Sequence, residues 1–379
     1  MAVRILHAHS TFSLGGKEAR AVRLMNAFGD AAEHSVISSM PGELGAREAI
    51  DKTVRVDFPH DAPPLTGRPG LKRLFRLSRY LRGFDLVLTY NWGAFDAVMA
   101  RYLFGGPPLV HHEDGFNEDE AEKLKPIRNL YRRLGLSAAH KLVVPSERLE
   151  GIARGPWGQG DGQVERIGNG IPVERYRKPA QAGAISGFAR RPGEIVVGTV
   201  AGLRAVKNLP RLIRAFAAMK QRNARLIIVG EGPESEAIIA AARAAGVADR
   251  VLLPGFLADP ARYIGLFDIF ALSSDSEQFP ISLVEAMAAG RPVAATAVGD
   301  IASMVSADNR PLIVACQDEA AFTAALDSLA ERSDLRRAIG QANREKAEAE
   351  YDERRMIARY ARLYGEAIGA PHAFEPAPS

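Results

Sequence analysis

Short apolar runs alternate with amphipathic stretches along nearly the whole chain. In the first half, strand-length apolar runs fall at 3–9, 34–39, 85–90, 108–111 and 141–145. Helical spacing falls at 17–28, 71–82, 95–104 and 127–136. Ala21, Leu24, Met25 and Phe28 illustrate it, since positions three and four apart share one helix face. Apolar strands separated by helices predict a parallel sheet covered on both faces. Residues 180–193, rich in Gly, Ala, Ser and Pro, break the rhythm and read as a linker or exposed turn region.

The alternation then restarts. Strands are expected at 195–200, 226–229, 251–253, 269–272, 293–296 and 312–314. Helices are expected at 209–219, 234–245, 283–289, 319–332, 335–350 and 353–368. The fold class is therefore α/β, with two Rossmann-like doubly wound halves whose ligand crevices lie at the carboxyl ends of the strands. The expected organisation is a first domain at 1–175, a linker at 176–194, a second domain at 195–352 and a tail at 369–379, with the stretch from 371 onward expected to be disordered.

A chain of 379 residues suits two domains rather than one core. A single cysteine, Cys316, excludes an internal disulfide, and its place after an apolar run reads as a small buried hydrophobe. No apolar run approaches the roughly 20 residues of a membrane span. The first residues read as a strand, without the apolar core of a signal peptide. These features lead to an expectation of a cytoplasmic protein. The net charge of +4 is too weak to argue for nucleic acid.

The richest chemistry lies between Glu277 and Glu285. The first ends a loop after an apolar strand, and the second lies one turn into a helix of small residues. Between them the backbone N–H groups of Ile281, Ser282 and Leu283 fall at a helix N-terminus, where unpaired donors and the helix dipole favour an anion. An anion site between two hydroxyl-accepting carboxylates fits a nucleotide sugar. The competing reading is a capping box, Ser282-Leu-Val-Glu285, which closes a helix start without any ligand.

The surrounding text resembles the retaining glycosyltransferases of family GT4. Ser273-Ser-Asp-Ser-Glu277-Gln-Phe-Pro280 is similar to that family's S-x-x-E-G-F stretch, Glu277 and Glu285 to its E-x7-E motif, and Ala286-Met-Ala-Ala-Gly290-Arg-Pro-Val to the continuation. The resemblance spans nearly the whole chain and implies the GT-B fold, with the terminal helix, 353–368, crossing back to the first domain. It implies donor contacts from Gly15, Gly16, Arg204, Lys207, Phe256, Glu277, Phe279, Pro280, Ile281, Ser282, Leu283 and Glu285. Glu285 would take the ribose and Glu277 the transferred sugar. Lys207 matches the family's diphosphate lysine, whereas Gly202 stands at its arginine and leaves Arg204, two residues on, to supply the charge. The glycine turn at Gly230-Glu-Gly232 reads as structural, and Asp300 as a helix N-cap.

In the first half, His111-His-Glu-Asp114-Gly-Phe116 resembles the family's x-E-H-G-F, with Asp114 at the position of its histidine. Asp114 is a candidate to orient the acceptor hydroxyl or to act as general base, and His111 and His112 are candidates for the missing imidazole and for acceptor contact. As a metal site the run fails, because neighbours in an extended chain point to opposite faces. The chain also lacks a D-x-D, so no metal and no other cofactor is expected. Asn91 and Trp92 follow another strand and are candidate acceptor contacts. The stretch 68–82 carries six basic residues and no acid: Arg68, Lys72, Arg73, Arg76, Arg79 and Arg82. Lys123, Lys125, Arg128, Arg132 and Arg133 form a second basic cluster. Such helices suit either an anionic membrane face or a solvated surface packed on a sheet.

The expectation is a metal-independent retaining hexosyltransferase that uses a UDP-linked sugar and a lipid or lipid-linked acceptor in polysaccharide or glycolipid assembly, peripheral at an inner membrane face. Arg204, Lys207, Glu277 and Asp114 are the candidate catalytic residues, and no nucleic-acid partner is expected. Two alternatives stay open: a sugar-nucleotide epimerase on the same fold, and a non-catalytic nucleotide-sugar-binding subunit. A nicotinamide dehydrogenase is disfavoured, because no G-x-G-x-x-G opens either half.

Overall fold

The computed structural model describes residues 2–13, 15–67, 70–116, 120 and 124–375. They divide into two compact units, 1–169 with 354–379, and 170–353. Arg68 and Lys123 of the two basic clusters, and 376–379 of the expected tail, lie outside the described residues.

In the first unit the strands are β1 (Val3–His9), β2 (Ala32–Ser38), β3 (Arg55–Asp57), β4 (Leu86–Tyr90), β5 (Leu109–His112), β6 (Lys141–Val144) and β7 (Val164–Arg166). All pair in parallel in the order β3-β2-β1-β4-β5-β6-β7. The order reverses direction at β1 and β4, which places a topological switch point at their carboxyl ends. The edge strands β3 and β7 are three residues long, too short to leave a readable period in the sequence.

Helices α1 (Gly16–Phe28), α2 (Leu71–Leu81), α3 (Phe95–Phe104), α4 (Pro126–Leu136) and α5 (Glu147–Arg154) cover this sheet. Alternate strand residues sort the core into two layers. Leu6, Ala8, Val87, Leu109, Leu142 and Val144 face α2, α3, α4 and α5. Ile5, Leu86, Leu88, Tyr90, Val110 and Val143 face α1 and the last helix of the chain, Glu353–Ala367. That helix buries Met356, Tyr360 and Tyr364 on the sheet. Residues 371–375 differ from the expected disorder. Phe374 is buried and its ring packs tilted on Phe28 with centroids 4.7 Å apart, so an aromatic contact ties this segment to α1.

In the second unit β8 (Ile195–Val200), β9 (Ala224–Val229), β10 (Val251–Gly255), β11 (Ile269–Leu272), β12 (Val293–Thr296) and β13 (Ile313–Val314) form a parallel sheet ordered β10-β9-β8-β11-β12-β13. Its switch point lies at β8 and β11. The helices are α6 (Val173–Tyr176), α7 (Leu209–Ala218), α8 (Ser235–Ala244), α9 (Ile281–Ala288), α10 (Ile301–Met304), α11 (Glu319–Glu331) and α12 (Ser333–Glu350). Residues that α7, α8 and α11 bury cover one face and those of α6, α9 and α10 the other, while α12 gives Ile339 to the first and Ala347 to the second. The stretch 176–194, read from sequence as a linker, adds Tyr176, Ile185 and Phe188 to this second layer. Its Gly, Ser and Pro residues hid these three anchors. Cys316 differs from its expected burial too. It is partly exposed, with Sγ 3.4 Å from Asp275 Oδ1.

Five histidines are buried in the first sheet: His7, His9, His34, His111 and His112. His112 Nδ1 lies 3.1 Å from the Thr89 carbonyl, which can only accept, so that nitrogen carries the proton. Its Nε2 then accepts from the Tyr364 hydroxyl at 2.8 Å, tying the last helix to β5. Burial pushes His112 down to about 3 and His34 to about 4, and lowers His7 and His9 well below the usual imidazole range. These four are neutral when folded, and unfolding frees them to bind protons. Their contribution is complete above about pH 6.5 and is lost as pH falls toward about 4. Urea unfolding at about pH 7, 6 and 5 is expected to show stability falling as pH drops, gently between 7 and 6 and more steeply between 6 and 5, with a limit of roughly 1.4 kcal/mol per pH unit for any one histidine. A flat profile over that range contradicts the assignment.

Candidate functional site

The loop leaving β8 is built on backbone contact. Gly230 (φ +143°) and Gly232 (φ +156°) let the turn after β9 press on it. A side-chain carbon there would meet the Ala201 carbonyl at 1.9 Å and the Leu203 carbonyl at 2.4 Å. Gly202 is exposed, and the Arg204 Nε lies 3.8 Å from where its Cβ would stand. Arg204 therefore folds over the space that a side chain at 202 would fill. The chain then makes a tight turn, Ala205–Lys207, and enters α7 through Asn208 in the left-handed region (φ 41°), which Asn tolerates better than most residues. The Asn208 side chain caps α7 by accepting from the Arg211 N–H.

The loop leaving β11 meets it. Lys207 Nζ donates to Glu277 Oε1 at 2.6 Å, and the Ser274 hydroxyl donates to the same oxygen at 2.7 Å. The Ser273 hydroxyl donates to the Lys207 carbonyl at 3.0 Å, so both loops are pinned to each other. Glu277 is 8% exposed, so its charge depends on these donors. Its backbone is held as tightly. Gly299, at φ +56°, packs so closely that a Cβ would lie 2.1 Å from the Glu277 carbonyl. Asp300 stands at the N-cap position of α10, but its side chain makes no capping bond.

Helix α9 begins at Ile281 after the extended Pro280, and no side chain caps it. Ser282 thus sits at the second helical position, and the capping box allowed by the sequence does not form. The N-terminal donors of α9 stand beside the loop that carries Glu277. Phe279, Pro280, Ile281 and Leu283 turn their side chains partly or wholly into the core and offer only backbone. Glu285 Oε1 accepts from the Tyr176 hydroxyl at 2.8 Å. Tyr176, on the four-residue α6, has no periodic signal in the sequence, so this contact was not legible there. Burial and the Glu285 charge both raise the Tyr263 phenol. Phe256 is 59% exposed and outside the core, and its N–H donates to Glu231 Oε1 at 3.2 Å.

In the first unit Gly15 is the extended N-cap of α1, without a side-chain cap, and Gly16 opens the helix. Lys17 in the first turn pairs with Glu18 and donates to the Thr11 carbonyl at 2.9 Å. Asp114 is not the free base expected from sequence. Arg20 clamps its carboxylate with both terminal nitrogens, one at 2.8 Å, and also donates to Asn169 Oδ1 at 2.9 Å. Burial raises the Asp114 pKa, but Arg20 outweighs it and the carboxyl is held below its usual range. An acceptor-only carboxylate held this way is a weak proton acceptor. Arg20 reads as an ordinary helix-surface residue in the sequence, so the pair was missed. Asn91, at φ 58°, receives the Asp114 N–H on Oδ1 at 2.8 Å. Trp92 stacks on Phe95 and lies 4.9 Å from the Arg128 and Arg132 guanidiniums.

His111 and His112 differ from their expected acceptor role, since both are wholly buried. His111 Nδ1 lies 2.7 Å from the Thr89 hydroxyl, and His112 is bound as described above. Arg132 leaves the expected surface cluster as well. It is buried against Trp157 and Phe116 and paired with Glu120 at 3.1 Å.

Residues 185–346 match the family described as glycosyl transferases group 1, and residues 14–175 match Glycosyltransferase Family 4. The chain is 32% identical over 370 residues to the 2-deoxystreptamine N-acetyl-D-glucosaminyltransferase of Streptomyces fradiae, covering 87% of this chain and 86% of that one. It is 26% identical over 334 residues to the N-acetyl-alpha-D-glucosaminyl L-malate synthase of Bacillus anthracis, covering 88% and 79%. In fold it is similar to Anabaena HepE in complex with UDP, with a TM-score of 0.78, 19% identity and coverage of 96% and 100%. Two parallel-sheet units on this pattern make the GT-B fold.

Replacing Arg20 by Met strands the buried Asp114 carboxylate, and burial alone then pushes its pKa up. Denaturant unfolding near neutral pH is expected to show a loss of about 3–5 kcal/mol. A loss below about 1 kcal/mol contradicts the clamp. Gly299→Ala is expected to cost about 1–3 kcal/mol through backbone strain next to Glu277, measured the same way.

Proposed function

The chain belongs to glycosyltransferase family 4, and from that premise we propose that it moves a hexose-type sugar, with retention and without a metal, from a nucleotide-sugar donor to a hydroxyl acceptor. One observation carries the reading. Lys207 and Glu277 are paired at 2.6 Å beside the uncapped start of α9, with Glu285 one turn along it. Donor binding splits this pair of charges between two partners. The diphosphate takes Lys207, Arg204 and the α9 N–H groups, and the sugar hydroxyls take Glu277. The ribose hydroxyls go to Glu285 alongside the Tyr176 hydroxyl. The base lies against the exposed Phe256.

Transfer then needs little from the protein beyond positioning and charge. The bond from the anomeric carbon to the diphosphate oxygen breaks as the acceptor oxygen bonds to the same face. The acceptor proton passes to the departing phosphate oxygen. Lys207 and Arg204 neutralise the charge that develops there, so no resident cation is required. The clamped Asp114 positions this part of the unit through Asn91 and Arg20 rather than taking the proton.

UDP is the favoured nucleotide, supported by the UDP and UDP-glucose complexes of HepE. A lipid or lipid-linked saccharide is the favoured acceptor, supported by the exposed apolar and basic helices of the first unit. A second reading, a small polar acceptor, is favoured by the names of the Bacillus anthracis and Streptomyces fradiae relatives.

Calorimetry with UDP, GDP and ADP tests the donor site. Glu285→Ala is expected to weaken the preferred nucleotide roughly ten- to hundredfold, the range for a lost charged hydrogen bond. Lys207→Ala is expected to lower kcat by roughly 10²–10³, because its charge matters most as the diphosphate leaves. Turnover of the nucleotide sugar without acceptor favours the epimerase alternative. Binding without turnover under any acceptor favours the non-catalytic subunit.

A further inference from the structure

Helix α2 has apolar residues on two faces, and only one face is buried. Leu74, Leu77 and Leu81 are buried on the sheet. On the opposite side Leu71 is 69% exposed and Phe75 47% exposed, one turn apart. Lys72, Arg76 and Arg79 stand exposed along the same side. A helix packed on a soluble core is normally polar there.

Helix α4 repeats the pattern more strongly. Ile127, Leu130, Tyr131 and Leu134 follow one another at spacings of three, one and three residues, which makes a single stripe along the helix. All four are exposed, Ile127 at 75% and Leu130 at 56%. Lys125 and Arg133 are exposed beside them. Helix α3 packs against both α2 and α4 and adds exposed Tyr102 and Leu103 at its end. Neither 71–81 nor 126–136 contains an acidic residue. An apolar recess of about 330 Å³, lined in part by Trp92, Phe95, Ile127 and Tyr131, opens at the stripe and continues the apolar surface inward.

From these observations we infer that the outward faces of α2 and α4 form a docking surface for a bilayer containing anionic lipid. The inference deepens the lipid-acceptor reading above and rests on it for its purpose. Amphipathic helices that lie in a membrane interface bury a stripe like this among the acyl chains and hold basic residues at the headgroups. Among the described residues no helix is long and apolar enough to cross a membrane, so the contact is lateral. Charge decides between a bilayer and a second copy of the chain. A two-fold interface would set this cationic face against itself, whereas an anionic leaflet complements it. A soluble polyanion would satisfy the basic residues but leave the apolar stripe in water.

Flotation of the full chain with phosphatidylcholine vesicles, with and without about half phosphatidylglycerol, tests this. The expected result is binding to the anionic vesicles only, weakening as salt rises. Ile127→Ser with Leu130→Ser is expected to weaken it about tenfold or more. Lys72→Glu with Arg76→Glu is expected to do the same. All four positions are exposed, so UDP binding and the melting temperature should stay unchanged in both variants. Equal or absent binding to the two vesicle types overturns the inference. So does a solution dimer that the serine variant splits, or anionic binding that the serine variant leaves intact. Vesicle binding is read without donor or acceptor, and UDP binding without vesicles, so failure of the docking surface and failure of the transferase reading give different results.

Discussion

Parallel pairing at two switch points is the constraint on which the rest depends. Where β1 meets β4, and where β8 meets β11, the connections leave in opposite directions and open a gap at the carboxyl ends. Gly15, Gly16, Asn91, Trp92, Arg204, Lys207, Glu277 and Glu285 follow one of these ends or lie on a helix that starts there, whereas His111, His112 and Asp114 belong to β5 and its exit and Phe256 follows β10. A parallel strand buried on both faces cannot carry charge in its middle. Polar chemistry is therefore pushed to the strand ends, where Lys207 and Glu277 meet in one unit, and Arg20 and Asp114 in the other.

These two ion pairs differ in what surrounds them. Arg20 and Asp114 are largely buried within the unit, with Asn169 accepting from Arg20 and Asn91 from the Asp114 backbone N–H, so the pair behaves as a structural clamp. Lys207 and Glu277 sit on two loops beside a helix start that no side chain caps, where the proposed reading puts the donor diphosphate. The first pair holds both of its charges together inside one unit. In the proposed function the second exchanges its partners for those of the donor, because each member gains one as the pair separates. Close backbone packing at Gly230, Gly232 and Gly299 fixes the loops so that this exchange moves side chains rather than backbone.

The first unit separates its two sheet faces by role. One face is closed by α1 and the last helix, through buried histidines and tyrosines. The other is closed by α2, α3, α4 and α5, two of which spend a second apolar stripe on the solvent side. Burial of Leu74, Leu77 and Leu81 accounts for folding. It does not account for Leu71, Phe75 or the stripe on α4, and an interface does.

The sequence alone determined the two α/β halves, because strand and helix periods follow from local alternation of apolar positions. It determined the Glu277-to-Glu285 element and the matching Lys207, since those residues lie close together in sequence or in a recognisable order. Tertiary structure decided the rest. Only packing could reveal that Arg20, distant in sequence, neutralises Asp114, or that Tyr176 reaches Glu285 across 109 positions. Only packing could show that the stretch read as a linker is anchored by Ile185 and Phe188, that Phe374 ties its segment to α1, and that His111 and His112 are core. Periodicity reports that a helix has an apolar face. It cannot report which of two faces meets the core, because that depends on neighbours brought together from elsewhere in the chain.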